Sequence, residues 1–250
     1  MNSGTAASDK MLDLLETLLG GNQNGSLRAA AETLGLPSST AHRMAAALVR
    51  RGFIAPAQRG HYVSGMRLAN LVARSNPQDT LEAVSRPTLR ALASESGATT
   101  HLGIWDGEMV TYLVKQAGRG ATLFTSEGGQ LEAYCSAIGK VLLAHIDPAK
   151  RDAYLLAGPF IALTDRTKID PADIQAELDE VARLGFALDQ QEIAQDLFCI
   201  ALPVRDANGA VIAAVSLSVT GAAAKWVEPP AALRRCVATI ERRLGTGGTD

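Results

Sequence analysis

The sequence predicts an α+β protein with an N-terminal winged helix-turn-helix, a helical linker and a C-terminal domain in which helices pack on an antiparallel sheet. Three short helical patterns precede a strand pair near the N-terminus, and hairpin signals occur further on at Asp106-Gly107 and Asn208-Gly209. Charge divides the chain similarly. Residues 1–75 carry eight Lys and Arg against four Asp and Glu, and the remainder carries sixteen against twenty-two. We predict domain boundaries at 8–64, 65–95 and 96–246.

Composition excludes several classes of protein. Of the 250 residues, 47% are hydrophobic and 20% are charged, so neither a disordered chain nor a coiled coil is expected. The three cysteines form no CxxC pair, which argues against a disulfide scaffold or structural zinc and favours a reducing compartment. The first ten residues lack a signal-peptide pattern, and the longest uncharged stretch, 207–224, alternates as a strand does. We therefore expect a soluble, cytoplasmic protein without a membrane partner.

Three short helices are predicted before residue 51. Ser8 is positioned to cap the first helix, and Ser26 opens the second, residues 27–34. Pro37 and the hydroxyl residues after it begin the third helix. A turn containing glycine separates the last two helices, so the pattern is that of a helix-turn-helix. The apolar positions of the third helix fall on one stripe: Ala41, Met44, Ala45 and Leu48.

The opposite face of the third helix is basic and hydroxylated. Arg43 is suited to base edges, while the hydroxyl and N–H groups at the helix N-terminus are suited to phosphates. Two short strands, 52–55 and 61–63, flank Arg59 and predict a wing with a cation at its tip. The alternative is that any small helical bundle carries capping hydroxyls and scattered arginines. The predicted contacts to double-stranded DNA are Ser38, Ser39, Thr40, His42, Arg43 and Arg59.

The remainder of the chain mixes strands and helices. Residues 65–95 are predicted to be a helical linker with an interruption at 75–77. Antiparallel hairpins with helices between them are typical of an α+β sensor domain. The predicted strands are 98–105, 109–115, 121–125, 197–205 and 210–219, and the predicted helices are 133–146, 170–184 and 231–243.

The last strand pair is predicted to carry a face of small, weakly polar residues. A two-residue turn in this hairpin places Cys199 opposite Ser218 and Ala201 opposite Ser216, with all four on one face. The other face is apolar and is predicted to meet the core. Small hydroxyl and thiol side chains leave room for a ligand. Two alternatives stay open: the serine face could be solvent-exposed, and Cys199 could be a small buried hydrophobe.

Neighbouring segments are expected to line the same cavity. Asp189 and Glu192 directly precede the strand that carries Cys199, and residues 134–140 bring further small side chains. Lys140 and the nearby helix N-terminus are expected to add positive potential, unless Lys140 is solvated. Because Asp189 disfavours a bare anion, a hydroxylated acid suits the site better than a simple one.

Catalysis has little support in the sequence. Gly139-Lys140 lacks the earlier glycine and the following hydroxyl of a phosphate-binding loop. The four histidines show no metal-ligand spacing, and nothing local supports a nucleophilic pair of Cys199 and His101. We expect no enzyme activity, no metal site and no cofactor.

Three segments carry a family resemblance: GLPSSTAHR at 35–43, SAIGKVLLA at 136–144, and CIALPV at 199–204 followed by SLS at 216–218. In this order and spacing the chain resembles the IclR family of bacterial transcriptional regulators over about residues 8–243. The resemblance implies a winged helix-turn-helix, a helical linker and a GAF-like effector domain. It also implies homodimers or dimers of dimers on the DNA, and effectors that are small organic acids or aromatic catabolites.

The resemblance also implies positions for the effector contacts. Members often carry glycine two or three residues before the cysteine, where this chain has Asp196-Leu197-Phe198. Phe198 and Tyr134 are therefore expected to reshape or narrow the pocket. The implied effector contacts are Asp189, Cys199, Ser216 and Ser218, with further lining from Ser136 and Ala137.

These observations together predict a ligand-responsive transcriptional regulator that binds a palindromic operator, with repression favoured over activation. One alternative is a DNA-binding regulator whose C-terminal domain serves only dimerisation or protein interaction. A third possibility is a small-molecule enzyme fused to a DNA-binding domain, which no feature of the sequence supports.

Overall fold

The computed structural model describes residues 3–20, 25–119, 123–221 and 226–245. The chain forms two compact units, Met1–Pro77 and Gln78–Asp250, which are described separately below. Within the described residues, no helix is long and apolar enough to cross a membrane.

The first unit contains a three-helix bundle and a two-stranded antiparallel wing, as predicted. Ser26 caps the second helix by accepting a hydrogen bond from the N–H of Ala29. The first helix begins at Ser3, so the prediction that Ser8 caps it is wrong, and Ser8 lies inside the helix. The elements are α1 (Ser3–Leu19), α2 (Leu27–Thr33), α3 (Ser38–Arg50), β1 (Ile54–Gln58), β2 (His61–Ser64) and α4 (Met66–Ala73).

Helical spacing places the apolar residues of this unit in one core. Leu14 of α1, Ala45 of α3 and Ile54 of β1 are all buried there. Gly25 lets the chain approach the wing closely, because a Cβ at this position would lie 2.0 Å from the carbonyl oxygen of Tyr62. The Tyr62 N–H donates to the Gly25 carbonyl at 2.8 Å, so the wing is attached beside the start of α2.

The second unit is a six-stranded antiparallel sheet with helices packed on both faces, in the strand order β5-β4-β3-β8-β7-β6. Its helices are α5 (Pro77–Ser96), α6 (Ala137–His145), α7 (Pro148–Leu156), α8 (Pro171–Leu184) and α9 (Ala231–Arg243). Its strands are β3 (Thr99–Asp106), β4 (Met109–Gln116), β5 (Gln130–Glu132), β6 (Ala187–Gln190), β7 (Leu197–Arg205) and β8 (Val211–Thr220).

Both faces of the central strands are buried. The face predicted to be apolar, which includes Ile200 and Leu217, packs against Leu89 of α5 and Leu233 of α9. The opposite face, which includes Cys199, packs in a second cluster with α6 and α8. The alternative of a solvent-exposed serine face is therefore wrong, since Ser216 and Ser218 are buried under α6. The sequence alone does not indicate that α6 folds over this face.

The predicted register of β7 and β8 is correct, although the turn between them is not the predicted one. Cys199 pairs with Ser218 and Ala201 with Ser216, while Arg205 pairs with Val211 across residues 206–210. A register shift beside Arg205 compensates for this longer loop. Because of this register shift, the side chains of β7 and β8 stay on the faces of the sheet that the sequence predicts.

Other predicted boundaries need correction. Residues 121 and 122 lie outside the described residues, and 123–125 form no strand, so β5 occupies the sheet edge instead. The helix predicted at 133–146 begins only at Ala137. The predicted linker comprises α4 and α5, interrupted at the expected place, and Leu81 and Leu92 of α5 contribute to the core of the second unit.

Candidate nucleic-acid interface and ligand cavity

Helix α3 presents its predicted contact residues to solvent. Ser38, Ser39, His42 and Arg43 are exposed, and Thr40 is half-buried. The helix contains no acidic residue, and no side chain caps its N-terminus. Free N–H groups at a helix N-terminus attract phosphate, so this end of α3 is suited to contact a nucleic-acid backbone.

The wing adds a second basic position to this unit. Arg59 is exposed between β1 and β2, and the ring of His61 bonds the Arg59 carbonyl at 3.2 Å. The neighbouring Gly60 carbonyl accepts a hydrogen bond from the N–H of Leu27 at 2.9 Å. The wing tip is thus fixed to the start of α2 while the Arg59 side chain stays in solvent.

The second unit encloses a cavity between the sheet and the N-terminus of α6. Its volume is about 20 Å³, room for about one water molecule. The cavity brings together all six predicted effector contacts. Its polar lining is His101, Tyr112, Thr125, Ser136, Asp189, Cys199, Ser216 and Ser218, and its apolar lining is Leu123, Phe124, Leu131, Ala137, Ile138, Ile193 and Leu197.

Asp189 is the one carboxyl group among the described lining residues, and it is 1% exposed. Its Oδ1 accepts a hydrogen bond from the N–H of Glu192 at 2.7 Å. Burial raises the pKa of Asp189 to about 7, although this hydrogen bond acts in the opposite direction. Cys199 pairs with Asp189 across β6 and β7 and with Ser218 across β7 and β8, so the three side chains share one face of the sheet.

The start of α6 forms one wall of the cavity. Ser136 caps this helix: its hydroxyl accepts from the Gly139 N–H at 3.1 Å and donates to the Glu132 carbonyl at 2.8 Å. The N–H groups of Ala137 and Ile138, in the first turn, have no intrahelical acceptor. The helix thus offers the cavity backbone donors and the positive end of its dipole.

Lys140 adds positive potential at Asp189 and Cys199, as expected, but it acts from a buried ion cluster and neither lines the cavity nor is solvated. Its ammonium group is fully buried and donates to Glu177 at 2.8 Å, to Glu192 at 2.5 Å and to the Leu188 carbonyl at 3.0 Å. Burial alone would lower the pKa of Lys140, but the two carboxylates outweigh it and the pKa is raised. Glu192 is bound in the same ion cluster and does not line the cavity.

His101 and Tyr112 are lining residues that the sequence interpretation missed. Their rings lie 4.8 Å apart, and His101 pairs with Ser216 across β3 and β8. The His101 Nε2 lies 2.8 Å from the Thr125 hydroxyl, and its Nδ1 has no hydrogen-bond partner among the described residues. Alternation along β3 could have placed His101 on one face, but no local signal shows that β3 lies beside β8.

Phe198 and Tyr134 do not line the cavity, so the expectation that they reshape or narrow it is wrong. Phe198 lies on the opposite face of β7 from Cys199, as strand alternation requires. The Tyr134 hydroxyl donates to the Ile161 carbonyl at 2.6 Å, outside the cavity lining. Asp196, three residues before the cysteine, has a φ of 59°, the left-handed region that glycine adopts readily and Asp tolerates.

Cys199 and His101 share the cavity but are not an activated pair. Burial raises the pKa of the Cys199 thiol well above its usual value and lowers the pKa of His101 to about 3. Both residues are therefore neutral near pH 7, whereas a nucleophilic cysteine requires a thiolate. The described residues also contain no group of His, Cys, Asp or Glu arranged to hold a metal ion.

A helix-turn-helix unit whose third helix is free of acidic residues, joined to a sheet unit with a small enclosed cavity, is typical of a transcriptional regulator. The chain belongs to the IclR family. Residues 77–241 match the family profile described as "Bacterial transcriptional regulator IclR C-terminal", and residues 7–57 match the IclR helix-turn-helix domain. The relatives are regulators of transcription rather than enzymes, and so is this chain.

Several relatives show the extent of the similarity. The regulator BhcR of Paracoccus denitrificans is 32% identical over 230 residues, covering 87% of this chain and 78% of that protein. The transcriptional repressor IclR of Escherichia coli is 29% identical over 212 residues, covering 83% and 77%. A crystal structure of an IclR homologue from Microbacterium hydrocarbonoxydans, complexed with 4-hydroxybenzoate, matches with a TM-score of 0.63 and 26% identity, covering 96% and 99%.

Proposed function

We propose that this protein is a cytoplasmic, effector-responsive repressor that binds a palindromic operator and senses a small organic acid or aromatic catabolite. The observation that carries this proposal is the cavity in which Asp189, Cys199, Ser216 and Ser218 meet the N-terminus of α6. Buried hydroxyl groups and a helix N-terminus together offer hydrogen-bond donors, which a carboxylate needs to offset its desolvation.

The first unit supports recognition of DNA. In this proposal, α3 enters the major groove, where Arg43 contacts a base edge, and Ser38, Ser39, Thr40 and His42 contact the backbone. Arg59 contacts phosphate from the wing.

The ligand class is supported by the lining of the cavity and by one relative. A carboxylate at the first turn of α6 would accept hydrogen bonds from the N–H groups of Ala137 and Ile138 and from the serine hydroxyls. The relative that holds 4-hydroxybenzoate makes a hydroxylated aromatic acid a reasonable first probe. Because the cavity holds about 20 Å³, its wall must move to admit such a molecule. Residues 123–125, which include the exposed Phe124, are a part of the wall that belongs to no helix or strand.

A dimer, or a dimer of dimers, is supported by α4. This helix has no buried residue, and Met66, Leu71 and Val72 are 73%, 52% and 62% exposed. Exposed apolar side chains on one short helix are suited to an interface. A two-fold dimer also matches a palindromic operator and reads enough base pairs for genomic specificity.

The small cavity favours one second candidate, a second unit that serves only dimerisation or protein interaction. Thermal shift of the full chain with pyruvate, benzoate and 4-hydroxybenzoate distinguishes the two. A ligand that binds only the native state stabilises it by RT ln(1 + [L]/Kd), about 2.7 kcal/mol at a hundredfold excess over Kd.

A stabilising acid that also releases the protein from DNA fragments co-purified with it supports the proposal. No shift with any of the three acids supports the second candidate. Sedimentation in the same buffer tests the assembly, because a monomer at micromolar concentration that protects one half-site contradicts the dimer.

A further inference from the structure

We propose that the cavity takes up one proton together with an anionic carboxylic acid, and that Asp189 receives this proton. The inference rests on the proposed effector function and deepens it. The bound species is then a protonated Asp189 carboxyl group beside the carboxylate of the effector, and the protein senses acid and effector together.

The geometry of the cavity leaves an anion without a counter-charge. None of the described lining residues is a cation, because His101 is buried and neutral. The three protons of the Lys140 ammonium group are donated to Glu177, Glu192 and the Leu188 carbonyl. The Lys115 ammonium group, outside the lining, donates to the carbonyls of Leu123 and Thr125.

Asp189 is held where an entering carboxylate would meet it. Its side chain is 1% exposed, accepts a hydrogen bond from the Glu192 N–H and lies opposite Cys199 across β6 and β7. Cys199 in turn lies opposite Ser218, and both residues line the cavity. An anion that accepts hydrogen bonds from the serine hydroxyls therefore lies close to the Asp189 carboxyl group.

Among the described residues, the titratable groups around Asp189 lie on the loop after β6, at the start of α6 and on strands β4 and β7. Glu192, on the following loop, raises its pKa, and Lys140 of α6 lowers it, both by less than burial raises it. Cys135, before α6, Cys199 on β7 and Tyr112 on β4 all have pKa values raised by burial, so each stays neutral near pH 7. Among the described lining residues, Asp189 is therefore the group whose charge can change in the neutral range.

Two carboxyl groups at hydrogen-bonding distance share one proton, because both cannot ionise at low dielectric. With its pKa near 7, free Asp189 is mostly protonated at pH 6 and mostly ionised at pH 8. A bound carboxylate raises that pKa further. Proton uptake on binding is thus small at pH 6 and close to one proton at pH 8. Above pH 7, affinity falls by up to about tenfold per pH unit.

Isothermal titration calorimetry of the full chain tests the coupling. The probes are 4-hydroxybenzoate and pyruvate, each titrated at pH 6 and pH 8 in phosphate and in imidazole, which both buffer over this range and differ in ionisation enthalpy. We expect the measured enthalpy to depend on the buffer at pH 8, by an amount that corresponds to about one proton, and to be nearly buffer-independent at pH 6. Asp189→Asn should bind with a Kd that does not change between pH 6 and pH 8.

The outcomes separate this inference from the function on which it rests. Buffer-independent binding at pH 8 overturns proton uptake and leaves the effector proposal standing. Binding of neither probe overturns both. Equal proton uptake by wild type and a folded Asp189→Asn variant overturns the assignment to Asp189. If that variant does not fold, the pH dependence of the wild-type Kd decides, because a titrating group whose pKa in the free protein is far from 7 is not Asp189.

Discussion

On α3 of the first unit, Ser39 and Arg43 are exposed to solvent, whereas Asp189, Ser216 and Ser218 of the second unit are no more than 4% exposed. The difference follows from the size of the two partners. A nucleic acid is too large to enclose, so its contacts compete with water and salt. A small molecule can be desolvated completely, so its contacts must match its hydrogen-bonding groups.

Charged groups are buried in the second unit and exposed to solvent on α3 of the first unit. In the second unit, burial lowers the pKa of His101 to about 3 and raises the pKa of Asp189 to about 7, and the Lys140 ammonium group is buried with its carboxylate partners. Substitutions in the second unit should therefore change stability and pH dependence. Substitutions on the exposed face of α3 should change binding and its salt dependence while leaving the fold intact.

The largest effect is expected from Lys140→Met. The substitution leaves Glu177 and Glu192 without their buried cation, and breaking a buried ion pair in this way costs about 3–5 kcal/mol. Lys168→Met is the matched control, because Lys168 pairs with the same Glu177 at 3.2 Å but is 45% exposed. Loss of this exposed ion pair should lower the free energy of unfolding by about 0–1 kcal/mol.

Urea unfolding followed by tryptophan fluorescence measures both Lys variants. The two tryptophans of the chain, Trp105 and Trp226, lie in the second unit and report its unfolding alone. Similar losses for the two variants would contradict the distinction between buried and exposed charge.

A smaller effect is expected from Ser216→Ala combined with Ser218→Ala. The change removes two buried hydroxyl groups, and a hydrogen bond to a charged group contributes about 1.5–3 kcal/mol. Effector affinity should therefore fall at least about tenfold, and the response of DNA binding to effector should disappear. Thr111→Ala is the control, because Thr111 lies on β4 outside the cavity lining. Undiminished affinity of the double variant by calorimetry would place the effector elsewhere.

The smallest effect is expected at the exposed interface. Arg43→Ala should weaken specific operator binding by about 1–3 kcal/mol and non-specific binding much less, because it removes a base contact. Arg59→Ala should weaken binding to all sequences and lower the salt slope by about one unit, as a lost phosphate contact does. Fluorescence anisotropy over a salt series measures both variants. If Arg43→Ala weakened binding to the operator and to unrelated DNA equally, Arg43 would not contact a base.

Much of the fold could be predicted because its signals are local. The glycine turn before α3, the cap of α2 and the alternation along β7 and β8 each depend on residues close together in the chain. The register that pairs Cys199 with Ser218 was predictable for the same reason. The edge strand β5 was not, because it is set by pairing with β4. The start of α6 was predicted four residues too early, although its cap at Ser136 is a local signal.

The sequence by itself determined most of the order of helices and strands, the family and the face on which Cys199, Ser216 and Ser218 lie, because periodicity and turn residues act over short distances. Only the tertiary structure decided what covers that face. It placed α6 over the serines, brought His101 beside Ser216 from a strand more than a hundred residues away in the chain, and enclosed Lys140 with two carboxylates. The physical reason is that burial and charge pairing depend on packing between segments distant in sequence, and these two effects set the state of Asp189.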